Sequence, residues 1–143
     1  RRVLFRSQTR IEADALIDDV MAQDFDLIVL PGGMPGAQAL ADSDKLIDKL
    51  HAQRDSGRLY GAICAAPAVA LAPHGLLDDV EATGHPFFTD ALPNKQRLEE
   101  RVVQDGHCLT SRGPGTALEF ALALVDALCG REKRDEVATP MVI

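Results

Sequence analysis

Arg58-Leu59-Tyr60-Gly61-Ala62-Ile63-Cys64 runs without a break into Ala65-Ala66-Pro67. The first seven residues are an apolar run of strand length. The small residues after them read as a helix over 65–72, stopped by Pro73 and Gly75. A cysteine thus stands where a strand meets a helix. Upstream, Phe25-Asp26-Leu27-Ile28-Val29-Leu30 is a second such run, cut off by Pro31-Gly32-Gly33. Its β-branched and leucine content suits a strand buried on both faces. Between the two runs lies a helical pattern. Asp42 or Ser43 caps it, Leu46, Ile47 and Leu50 recur at helical spacing, and Gly57 follows its end. Strand, helix, strand over so short a span is a βαβ unit with a right-handed crossover.

Outward from this unit the pattern continues to alternate. Residues 12–23 read as a short helix with Ala15, Leu16 and Val20 apolar. A short strand is expected at 80–83, followed by a loop over 86–97. Residues 101–104 and 107–110 read as a hairpin, with Asp105-Gly106 favouring a type I′ turn. A helix is expected over 116–128, ended by Gly130, with Leu118, Leu122, Val125 and Cys129 as its apolar stripe. A charged helix at 132–137 and the apolar Met141-Val142-Ile143 follow. There is no internal repeat, low-complexity tract or linker. The alternation predicts one α/β domain, a sandwich around a mainly parallel sheet.

Composition bounds the function. The 143 residues are 46% hydrophobic and 26% charged, a globular rather than a disordered balance. Net charge is −7 and the pI is near 5.0, which argues against general nucleic-acid or anionic-membrane binding. No apolar run reaches transmembrane length, and no secretory leader pattern is present. Three scattered cysteines make no disulfide framework, so a reducing, cytoplasmic setting is expected.

In open parallel sheets, ligands bind beyond the carboxyl ends of the strands. Two such ends carry unusual residues. A sharp strand-to-helix turn at Cys64 would expose its sulfur as a nucleophile elbow exposes a serine, and a helix N-terminus there would favour thiolate. Gly61, Ala62, Ala65 and Ala66 leave room for that turn. The backbone N–H groups of Gly33 and Ala65 are the candidate oxyanion donors. A buried, unreactive cysteine is the competing reading for Cys64, and packing is the expected role of Cys108 and Cys129. No two of the four histidines have metal-ligand spacing, so no metal site is expected. His85, before Pro86, is the histidine placed to approach Cys64. Gly113-Pro114-Gly115-Thr116 opens a helix and has the form of an anion-binding turn, but a tight turn alone explains it more simply.

Three motifs in order, Leu30-Pro31-Gly32-Gly33, Ala62-Ile63-Cys64-Ala65-Ala66-Pro67 and Thr110-Ser111-Arg112-Gly113-Pro114-Gly115-Thr116, resemble the ThiJ/PfpI superfamily. The branch is that of the parkinsonism-associated deglycase, nearest its bacterial YajL-like members, to which Gly130-Arg131-Glu132-Lys133 is also similar. The resemblance runs from about Gln8 onward. It implies a flavodoxin-like three-layer sandwich and a homodimer. It implies Cys64 as a redox-sensitive nucleophile, with Gly33 and Ala65 as donors, Gly32 in the same bend, and Arg112 and Pro114 near the interface. The implied activities are glutathione-independent glyoxalase, deglycation of methylglyoxal adducts on proteins and nucleotides, and redox-regulated chaperoning under oxidative and carbonyl stress. No cofactor is implied.

Two departures qualify that resemblance. The family's acid/base glutamate lies on a first helix that precedes the matched segment, and Glu12 does not correspond to it. Some relatives carry a histidine where this chain reads Pro93-Asn94-Lys95-Gln96-Arg97. Residues 1–7 do not match and are expected to be a foreign leader. About 45 residues, a strand–helix–strand, are then expected to be absent before residue 8, which would impair catalysis. A related amidase or peptidase needs a histidine beside the nucleophile, and only His85 is available.

Overall fold

Tyr60-Gly61-Ala62 lies at the centre of the molecule, on a strand with a parallel neighbour on each side. Tyr60, Gly61 and Ala62 are all buried, and Gly61 leaves no space for a side chain. A Cβ on Gly61 would meet the Leu109 carbonyl oxygen at 2.5 Å. The computed structural model describes residues 2–4 and 10–143.

A small antiparallel pair, β1 (Arg2–Leu4) and β2 (Arg10–Glu12), comes first, with Val3 opposite Ile11. The helix α1 (Ile17–Val20) follows, then β3 (Leu27–Leu30), α2 (Gly36–Ala41), α3 (Asp44–Asp55) and β4 (Leu59–Ile63). A π-helical segment, Pro67–Leu71, leads into a 3₁₀ turn, Ala72–His74. After a long irregular stretch come β5 (Val102–Asp105), β6 (Cys108–Ser111), α4 (Ala117–Cys129) and α5 (Arg131–Ala138).

The main sheet has the order β3-β4-β6-β5. β3, β4 and β6 are parallel, and β5 joins β6 antiparallel through the hairpin. With α3 packed on β4, and α4 on β5 and β6, this is a flavodoxin-like α/β sandwich, as the alternation predicts. The core is built from Leu30, Leu50, Tyr60, Leu71, Leu76 and Leu92, all essentially inaccessible. Tyr60 satisfies its hydroxyl there by donating to the Leu76 carbonyl at 2.8 Å.

Several expectations need correction. Residues 12–23 are not one helix: Glu12 belongs to β2, Leu16 is extended, and only Ile17–Val20 is helical, with the Asp19 carboxylate accepting from the Leu16 N–H. Residues 80–83 form no strand. Two of their N–H groups go to side chains instead, Glu81 to the Asp105 carboxylate and Thr83 to the Thr110 hydroxyl, and the Val80 N–H turns back to the Leu77 carbonyl, so no ladder forms. The helix expected over 65–72 is shorter and π-wound. Pro67 removes a donor at its first turn, and the Ala72 N–H reaches back to the Pro67 carbonyl. In the hairpin Asp105 pairs with Cys108, so the two turn residues are Gly106 and His107. Gly106 alone has positive φ, +55°, whereas a type I′ turn requires it at both. On α4 the buried residues are Phe120 and Leu122, while Leu118 and Cys129 are exposed. The expected leader over residues 1–7 lies partly outside the described residues; within it, residues 2–4 are β1.

Candidate active site

β4 ends at Ile63, and the next residue takes a backbone conformation that L side chains rarely adopt. Cys64 has φ +68°. The surrounding chain holds it there. Its N–H donates to the Ser111 carbonyl at 3.0 Å, extending the β4–β6 pairing by one residue. Its carbonyl accepts the N–H of His85 at 2.8 Å. The left-handed residue turns the strand sharply into the Pro67–Leu71 segment and leaves the thiol half-buried.

Pro31-Gly32-Gly33, at the end of β3, packs beside this elbow. A Cβ on Gly32 would lie 2.4 Å from Cys64 Cβ and 3.2 Å from its Sγ. Gly33 is exposed, has φ +90°, and carries open space where a side chain would go. Ala65 is fully buried. Among the described residues neither the Gly33 nor the Ala65 N–H is taken by another backbone group outside the regular elements.

The third motif arrives through β6. Ser111 receives the Cys64 N–H on its carbonyl, and its hydroxyl shares a 2.6 Å hydrogen bond with Thr116. Gly113 lies against the His85 ring, whose Cδ2 would be 3.5 Å from a Cβ there. The Gly113 N–H donates to the Thr116 hydroxyl at 3.1 Å. The glycine-rich turn is therefore satisfied internally, as a tight turn should be. Arg112 is turned away to Glu99, with Nη1 3.2 Å from the carboxylate, and Pro114 is exposed.

His85 accepts the Phe87 N–H on Nδ1 at 3.3 Å, so the neutral ring carries its proton on Nε2. Phe87 and Phe88 meet the ring edge-on. Phe87 is 88% exposed, which leaves one side of His85 lined by an aromatic surface open to solvent.

The other cysteines differ sharply. Cys108 is buried, and burial pushes its thiol up to about 12 despite a hydrogen bond with Tyr60. Cys129 is exposed at the end of α4 and is not the packing residue expected. Among the described residues no cluster of three His, Cys, Asp or Glu is disposed to hold a metal ion.

The structure thus brings Gly32, Cys64 and His85 together, with Ser111 and Gly113 from the third motif. Sequence reasoning missed the roles of Ser111, Gly84 and Gly113. Gly84, directly before His85, permits a close approach, since a Cβ there would be 3.3 Å from the Cys64 carbonyl oxygen. The signal available was a third strand running parallel to β4, whose carboxyl end must lie beside Cys64.

Comparison with known proteins places this arrangement. Residues 2–127 match the DJ-1/PfpI family. Protein DJ-1 homolog B of Arabidopsis thaliana is 48% identical over 131 residues, 92% of this chain and 30% of that protein. The chain therefore spans about a third of the length of that plant relative. The glutathione-independent glyoxalase DJR-1.2 of Caenorhabditis elegans is 40% identical over 136 residues, covering 94% of this chain and 72% of that protein. Among solved structures, oxidized DJ-1 of Toxoplasma gondii superposes with a TM-score of 0.94 at 39% identity, covering 99% of this chain and 77% of that one. A sandwich whose three parallel strand ends meet at one cysteine elbow, matched over this length, assigns the chain to the DJ-1/PfpI family.

Proposed function

We propose that Cys64 is the nucleophile of a glutathione-independent glyoxalase or deglycase acting on methylglyoxal and its adducts. The observation that carries this reading is the elbow, a half-buried thiol at φ +68° on a parallel strand end, in a chain 40% identical to a named glyoxalase. The Cys64 thiolate adds to the aldehyde carbon of methylglyoxal. The S–C bond forms as the carbonyl π pair moves to oxygen, and the Gly33 and Ala65 N–H groups receive the oxyanion. A proton then moves from that carbon to its neighbour, and water releases lactate and regenerates the thiolate. His85 is the candidate imidazole for this proton movement. A homodimer, with Arg112 and Pro114 near its interface, belongs to the same reading.

Lactate release from methylglyoxal is the test. Cys64→Ala should lower it at least ~100-fold, as removal of a covalent nucleophile does. Equal rates for the two proteins would refute the assignment.

A redox role is the second reading, favoured by similarity to a relative solved in an oxidized form. Peroxide would convert the Cys64 thiolate to sulfenic acid, transferring one oxygen and releasing hydroxide, and then to sulfinic acid. Intact-mass measurement after mild peroxide separates the two readings. Selective oxidation of Cys64 without lactate release supports the sensor, and turnover with little oxidation supports the enzyme.

A further inference from the structure

The two glycines after Pro31 serve different needs. Gly33 has φ +90° with open space around it, so its requirement is conformational. Gly32 is not among the residues with positive φ, and its requirement is spatial. A Cβ there would meet Cys64 Cβ at 2.4 Å, the Ile63 carbonyl oxygen at 2.6 Å and Cys64 Sγ at 3.2 Å. The first two of these atoms do not swing away, because both are fixed by the backbone.

Nor can the elbow yield. The Cys64 N–H is held by Ser111 and its carbonyl by His85, with Gly84 packed close on the carbonyl side. We infer that Gly32 is a positioning residue for Cys64, its missing side chain being the space that fixes where the cysteine Cβ and Sγ sit. The inference deepens the reading of Cys64 as nucleophile and rests on it, but its test does not depend on turnover. A methyl at position 32 would displace either the end of β3 or the cysteine. Rotating the cysteine side chain relieves neither of the two closest contacts, so the backbone of one or the other must move, and either movement changes the position of Sγ relative to the end of β3.

The molecule carries its own reference thiols, exposed Cys129 and buried Cys108. Iodoacetamide alkylation of the folded chain, resolved by peptide mass at each cysteine and repeated across pH, reads the position of Cys64 directly. Gly32→Ala should change the Cys64 alkylation rate about tenfold and move its pH midpoint, as forcing a methyl into a packed site implies. Cys129 should alkylate at its original rate. Gly36→Ala, at the start of α2 and with no atom within 4 Å of the added carbon, should leave Cys64 unchanged. An unaltered Cys64 rate and midpoint in a folded Gly32→Ala variant overturns the inference. So does a variant in which Cys108 becomes as reactive as Cys129, because Gly32 then serves the whole scaffold rather than the thiol. If Gly32→Ala moves Cys64 while Cys64→Ala releases lactate at the parent's rate, the proposed chemistry fails and the positioning role stands.

Discussion

Tyr60 and Cys108 stand opposite each other on β4 and β6, and burial acts on both in the same direction. The Cys108 thiol is raised from 9.0 to about 12 in the folded protein, chiefly by desolvation. Tyr60 is also raised, by burial first and then by its neighbour Cys108. As pH climbs past 9.0, an unfolded chain releases the Cys108 proton while the folded chain keeps it, until about 12. The folded state then binds more protons than the unfolded one, so stability falls as pH rises. Each such group steepens the fall by up to about 1.4 kcal/mol per pH unit. Thermal melts taken between about pH 8 and pH 11 should show this alkaline loss, with a shallower slope in Cys108→Ala and in Tyr60→Phe. Slopes identical to the parent in both variants would contradict it. Tyr60→Phe should also cost about 1 kcal/mol at neutral pH, because the Leu76 carbonyl loses its donor. At this scale the place of Cys64 was legible, since the apolar run before it and the small residues after it put it at the end of a strand. The exposure of Cys129 was not legible, because helical spacing names a stripe without saying which side another element will cover.

Gln53 shows how one element depends on another through a residue whose type gives no warning. It lies near the end of α3 and is buried, although a glutamine on a helix ordinarily faces water. Its amide donates to the Phe25 carbonyl at 2.8 Å and the Leu59 carbonyl at 2.9 Å. It therefore ties α3 to the entrances of β3 and β4, satisfying two carbonyls at once. Gln53→Ala strips both and should lower unfolding free energy by about 1–3 kcal/mol in a denaturant titration, with an unchanged m-value. A loss no larger than that of an exposed helical glutamine would show that water replaces both bonds. The elements flanking this residue were readable. β3, α3, β4 and the β5–β6 hairpin each carry a period or a turn residue that tertiary contacts reinforce. α2 was invisible, because it begins at Gly36 directly after Pro35 and spans only Gly36–Ala41. Residues 80–83 misled because the N–H groups of Glu81 and Thr83 bond to the Asp105 and Thr110 side chains rather than to the backbone of a neighbouring strand.

At the scale of the whole molecule, the sheet order leaves β3 with no strand on its outer side among the described residues. Val29, at the middle of that strand, is 36% exposed, and Leu118 and Leu128 on α4 are also open to solvent. An edge strand with free backbone groups and an apolar side chain is a template for pairing with another chain. Concentration-dependent self-association of this chain is therefore expected, measurable by light scattering on a size-exclusion column. The charge on the protein opposes it. At a net charge of −7, like-charged copies repel at low ionic strength, and added salt screens that repulsion over roughly 10 Å at 0.1 M. Association should thus strengthen as salt is raised, opposite to what an interface built on ion pairs would show. Val29→Lys places a charge on the exposed edge and removes an apolar contact worth about 1.5 kcal/mol when fully buried, a factor of about ten in dissociation constant. A chain that stays monomeric at every concentration and salt would show that the β3 edge and the α4 surface are covered from within. Association that Val29→Lys leaves untouched would move the contact from the strand edge to α4, where Leu118→Lys is the corresponding variant.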